Sequence, residues 1–92
     1  MAQHRSALKR HRQNEKRRVR NRAIRTRLRH LVRTVRTAIS ANDATAATTS
    51  LAQAARALDK AVTKGVLHRN SAARKIARLA SAVNAVARPG AR

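Results

Sequence analysis

The chain has 92 residues, of which 23 are Lys or Arg against three acids, Glu15, Asp43 and Asp59, giving a formal net charge of +20 with no cysteine and no aromatic residue. This length allows one small domain at most, and so much like charge repels itself until a polyanion neutralises it. Disulfide, thiolate and iron–sulfur chemistry are excluded, as are folds that read single-stranded bases by stacking them on aromatic rings. Glycine occurs only at 65 and 90 and proline only at 89, while alanine, arginine and leucine dominate. All three are strong helix formers, so the chain is predicted to be all-α.

The N-terminus, Met-Ala-Gln-His-Arg-Ser, has no apolar stretch long enough for a signal-peptide core, and nowhere do about 18 apolar residues run together as a spanning helix requires. A soluble cytoplasmic protein is expected. The first helix is predicted from about residue 6 to 41. Its second half carries Ile24, Leu28, Leu31, Val32, Val35 and Ile39 at steps of three and four, which puts them on one face. Its first half has only Leu8 and Val19 as sizeable apolar residues and is basic around the whole circumference. Residues 1–22 are therefore expected to project beyond the folded body as a basic helical extension. A helix that is polar all round needs outside support, and this extension is expected to be frayed until a bound polyanion orders it.

The run Ala41-Asn42-Asp43 is predicted to be the first turn, because Asn tolerates a left-handed backbone and Asp caps a following helix. A second helix follows to about residue 64, with Leu51, Ala55, Leu58 and Val62 as its apolar stripe, and Gly65 ends it. Val66 and Leu67 are expected to turn inward, Asn70 to cap a third helix, and Ala72, Ile76, Leu79, Val83 and Val86 to form its stripe. Pro89-Gly90 closes regular structure, leaving 89–92 as a tail. Three stripes joined by two short turns predict an antiparallel three-helix bundle over 23–88. Leu28, Leu31, Val35, Leu58, Val62, Ile76, Leu79 and Val83 are expected to share one core.

Enzymatic readings fail early. The three acids fall in different elements, and Glu15 is most simply a counter-charge within its helix. His4, His11, His30 and His68 have no metal-ligand spacing, and no serine stands in a glycine-flanked elbow with a His–acid pair nearby. No catalytic residue, metal, cofactor or small-molecule substrate is expected. The apolar stripes lack the aromatic anchors of interfacial helices, which argues against a membrane-active polycation. Fourteen basic side chains within residues 1–36 exceed what solubility requires, and they are mostly arginine, whose planar fork holds phosphate in a bidentate way. Nucleic acid is the expected partner. A DNA-compacting role is the rival, but neither a helix-turn-helix nor heptads after the basic region are present, and a rod with a bundle at one end suits packing between preformed RNA helices.

The segment Lys64–Leu79, K-G-V-L-H-R-N-S-A-A-R-K-I-A-R-L, resembles the signature of the bacterial ribosomal protein S20 family of the small subunit. So do S-A-L-K-R at 6–10, Glu15-Lys16, Arg18 and Asn21, and the A-N-D turn at 41–43, where the family more often has Gly for Asn42. Ile76 and Ala77 depart from the family's usual Lys and Ser. The resemblance implies a structural protein of the small ribosomal subunit, with no homo-oligomer, that binds 16S ribosomal RNA directly, bridges RNA helices and supports early assembly of the 30S particle. Its implied RNA-binding residues on the long helix are Arg5, Ser6, Lys9, Arg10, Arg12, Lys16, Arg17, Arg18, Arg20, Asn21, Arg22, Arg25, Arg27 and Arg29. A second implied surface comprises Lys64, His68, Arg69, Asn70, Arg74, Lys75 and Arg78 around the second turn.

Overall fold

The computed structural model describes residues 2–87, with side chains from residue 5 onward. The tail expected at 89–92 lies outside the described residues. Three helices follow in order: α1 (Ala2–Ser40), α2 (Ala44–Thr63) and α3 (Arg69–Ala87). No strand occurs among the described residues, and the antiparallel three-helix architecture agrees with the sequence pattern. α1 begins about one turn earlier than expected. At 39 residues it runs about 58 Å, roughly twice either partner, and it stretches the molecule to 70 × 21 × 13 Å.

Both turns use the same device. At the first, Asn42 takes φ 54°, and the amides of Asn42 and Asp43 donate to the carbonyls of Ile39 and Ala38 at 3.0 Å each. At the second, Gly65 takes φ 76°, and Gly65 and Val66 donate to Val62 at 3.0 Å and Ala61 at 2.9 Å. Each pair satisfies the last carbonyls of its helix through one left-handed residue, the Schellman arrangement. Asp43 then caps α2, its Oδ1 accepting from the Ala46 amide at 3.1 Å. A Cβ added at Gly65 would touch nothing within 4 Å, so Gly65→Ala carries only the left-handed backbone penalty. We expect that variant to lose about 1–2 kcal/mol, and Asn42→Gly to be close to neutral, as read by thermal unfolding of the two proteins.

The cap of α3 is not Asn70. The helix begins at Arg69, and His68 supplies the cap: its Nδ1 accepts the Asn70 amide at 3.1 Å and its carbonyl accepts the Ala72 amide at 3.1 Å. Asn70 has the better intrinsic propensity for the role, but the Gly65 turn positions Val66 and Leu67 so that helical geometry starts one residue before it.

The core forms two clusters rather than the single one expected. Val35, Ala38, Ala47, Ala54, Leu79 and Val83 pack near the first turn, and Leu28, Leu58, Ala61, Val66 and Ala72 pack near the second. Leu31, Val62 and Ile76, expected in the core, are half-buried at its edges. The stripe of α2 is also rotated from the expected one. Ala47, Ala54, Leu58 and Ala61 are fully buried, whereas Leu51, Ala55 and Val62 are half-buried. The cause is that α2 packs along both neighbours while α1 and α3 touch each other little. Its centre line lies where backbones approach most closely, which selects alanine at seven-residue spacing and moves larger side chains to the flanks. Val66 turns inward as expected, and Leu67 does so partly.

Candidate nucleic-acid interface

Residues 5–20 of α1 are exposed on every side, with Leu8 at 47% and Val19 at 63% accessibility. Nothing packs on this arm until Arg20, whose guanidinium reaches the Lys64 carbonyl at 3.3 Å, and Asn21, which is half-buried and accepts from Arg20 through Oδ1 at 3.2 Å. Arg5, Ser6, Lys9, Arg10, Arg12, Lys16, Arg17 and Arg18 therefore stand free of the bundle. Among the described residues there is a single ion pair, Arg18 with Glu15 at 3.0 Å, the counter-charge expected within the helix. Both partners are exposed, so the pair contributes well under about 1 kcal/mol and leaves the arm strongly cationic.

Beyond the arm, one consequence of α2 holding the bundle together is that α1 and α3 splay apart. The groove between them encloses about 620 Å³, with Leu28, Val32, Leu58, Leu67 and Leu79 as its floor. Its walls are basic. Arg25, Arg29, Arg33 and Arg36 stand along α1, and Lys75 and Arg78 face them from α3. A second groove of about 450 Å³ between α1 and α2 brings Arg27 and Lys64 together with Arg56 and Lys60. Each groove offers several cations within reach of one anionic chain and no carboxylate among its lining residues, the arrangement that binds a phosphate backbone.

The fourteen long-helix residues and seven turn residues are thus not one surface. Arg25, Arg29, Lys75 and Arg78 converge, and Arg27 and Lys64 converge on the other side of α1. Arg69 falls on the opposite flank of α3's buried stripe from Lys75 and Arg78 by helical periodicity, while Arg74 is exposed further round. His68 Nδ1 accepts the Asn70 backbone amide in the helix cap, and both residues are exposed. Arg33, Arg36, Arg56 and Lys60 were missed. The signal for the first two was present, because Arg18, Arg22, Arg25, Arg29, Arg33 and Arg36 follow steps of four and three along one flank. Arg56, Lys60 and Lys64 likewise share one face at steps of four, although a two-plus-two charge balance over 37–63 disguised it.

The fold and this surface define a class: an all-helical polycation with a projecting basic arm and a grooved basic bundle, and with no metal-ligating cluster and no membrane-spanning helix among the described residues. The family model described as "Ribosomal protein S20" matches residues 2–84. The chain is 55% identical over 87 residues to "Small ribosomal subunit protein bS20" of Nitratidesulfovibrio vulgaris (strain DP4), covering 95% of this chain and all of that protein. It is 54% identical to the protein of that name from Maridesulfovibrio salexigens, with the same coverage, and 48% identical to that of Syntrophobacter fumaroxidans, covering 94% of this chain and all of the relative. The chain belongs to the ribosomal protein S20 family.

Proposed function

We propose that this protein is a structural component of the small ribosomal subunit, residing with the ribosome in the cytoplasm, that binds 16S ribosomal RNA directly and bridges RNA helices during early assembly of the 30S particle. The observation that carries this reading is the convergence of six basic side chains on the α1–α3 groove, continuous along α1 with a free basic arm. Membership of a family whose members are named for the small ribosomal subunit supports the partner. Two grooves on either side of α1, together with an arm that reaches beyond both, support the bridging role. A single-site ligand would leave most of that surface unused. Its role is architectural rather than catalytic, and it acts as one copy.

In this reading the arm is ordered by its RNA. Like charges at positions three and four apart oppose the isolated helix, and phosphates interposed between them remove the opposition. Binding is dominated by phosphate contacts. With about 6 to 10 phosphates neutralised, affinity for 16S RNA is expected to fall roughly 10³ to 10⁵-fold between about 50 and 200 mM salt. Filter binding across that range tests it, and a nearly flat plot of log affinity against log salt would show that the charge is not what binds.

A further inference from the structure

The side of α1 facing away from the bundle has a pattern that the grooves do not use. Leu28 and Val35 mark the buried face. On the opposite side, within about 60° of the diametric line at 3.6 residues per turn, stand Val19, Ala23, Thr26 and His30, and Arg33 follows them on that line. The first four are exposed, and none carries a charge with His neutral. Leu8 lies on the same line three turns before Val19, so the two large exposed apolar side chains among the described residues share it. In a chain of net charge +20, an uncharged strip about 17 Å long from Val19 to His30, ended by Arg33, stands out against its borders.

Those borders are basic on both sides. Arg22, Arg25 and Arg29 run along the flank toward α3, and two of them line that groove. Lys16, Arg20 and Arg27 run along the flank toward α2, where Arg20 reaches Lys64 and Arg27 lines the other groove. The outward face is thus two rows of cations with a neutral strip of modest side chains between them. Two parallel anionic chains with uncharged, hydroxyl-bearing surface between them complement that pattern. The wide, shallow minor groove of an A-form RNA duplex has this form, with phosphates on both rims and 2′-hydroxyls on its floor. A B-form minor groove, about 6 Å wide, does not admit a helix about 10 Å across. Reading the B-form major groove relies on Asn, Gln or Arg at the centre of the contact, and the strip carries none.

We propose that the outward face of α1, from Val19 to His30, docks in the minor groove of an A-form RNA duplex, its two basic rows on the two phosphate rims and its neutral strip against the sugar edges. The Thr26 hydroxyl and the His30 imidazole face the 2′-hydroxyls, and Ala23 allows the close approach. This rests on the RNA-binding reading above and adds which nucleic-acid surface is recognised and by which side of the helix.

The test uses the full chain with Ala23→Leu and Thr26→Leu combined, which adds bulk at the strip without changing charge at two exposed positions. Ala73→Leu, exposed on α3, controls for bulk elsewhere. Circular dichroism establishes that both variants fold as the parent does. Binding is measured to a defined RNA duplex, to its 2′-O-methyl counterpart, which keeps phosphates and A-form geometry but fills the groove floor, and to a DNA duplex of the same sequence. The double variant should bind the RNA duplex about ten-fold more weakly, the effect of losing one or two hydrogen bonds, with an unchanged salt slope. The parent should lose a similar factor on the 2′-O-methyl duplex, and the control should match the parent. Equal binding by the double variant, or equal binding of the RNA and 2′-O-methyl duplexes, overturns the proposal while leaving RNA binding intact. A parent that prefers the DNA duplex, or that binds anionic phosphatidylglycerol vesicles through Val19 more tightly than RNA, overturns both readings.

Discussion

Deletion of residues 1–22 should leave a folded three-helix bundle whose affinity for small-subunit RNA is reduced by about three orders of magnitude. The segment removes nine of the 23 basic side chains together with Glu15. What it takes from the bundle is slight: the 3.3 Å contact from Arg20 to the Lys64 carbonyl, exposed to solvent, and the half-buried Asn21. Neither core cluster includes a residue before Ile24. If about four of the nine lost cations contact phosphate, the slope of log affinity against log salt falls by about 3.6, and affinity at about 0.1 M salt falls by a similar number of decades. Circular dichroism and RNA binding on the same truncated chain, at one fixed salt concentration, separate the two effects. An unfolded truncate would make the arm part of the fold. Undiminished binding would move the main contact to the grooves.

Leu58→Ala should be the most damaging single truncation in the core. Leu58 is 1% exposed, belongs to the cluster near the second turn and also contributes to the floor of the α1–α3 groove. A fully buried Leu→Ala change costs about 2–5 kcal/mol. A domain this small has only about 3–5 kcal/mol from its core to lose, so the free variant should be largely unfolded at room temperature. Leu79→Ala, at 5% exposure in the other cluster, should cost nearly as much. RNA binds the folded form alone, so saturating RNA should restore helicity to both variants. A midpoint for free Leu58→Ala within a few degrees of the parent would show that the two helices beside it repack.

The helices themselves were legible because apolar spacing, Asn42, Asp43 and Gly65 all gave the same boundaries. Local propensity and tertiary structure agree at those positions. The interior was less legible, because a stripe of large residues marks which side of a helix is inside but not which line on that side is closest to its neighbours. Ala47, Ala54 and Ala61 are fully buried for the reason that hid them: they are small, and close approach selects them. The α3 cap was missed because His68 competes poorly on propensity yet has an imidazole nitrogen in reach of the Asn70 amide. Basic positions could be read from the sequence, but their grouping could not. Arg29 and Lys75 share a groove only because α2 holds α1 and α3 apart, and no spacing within one helix encodes that distance.

The projecting arm also separates the centre of charge from the centre of mass. Residues 1–19 hold seven basic groups and one acid, a net +6 over 19 positions, whereas residues 20–87 hold fourteen and two, a net +12 over 68. Charge per residue is nearly twice as high in the arm, and the positive end of the α1 dipole adds to it. In the field of a polyanion such a molecule experiences a torque as well as an attraction. It swings so that the arm leads and the bundle trails, before any contact forms. Encounter is therefore oriented from a distance of about one Debye length, roughly 10 Å at 0.1 M salt. Within that range the first collision is made by the end of the molecule with the fewest contacts to its own fold.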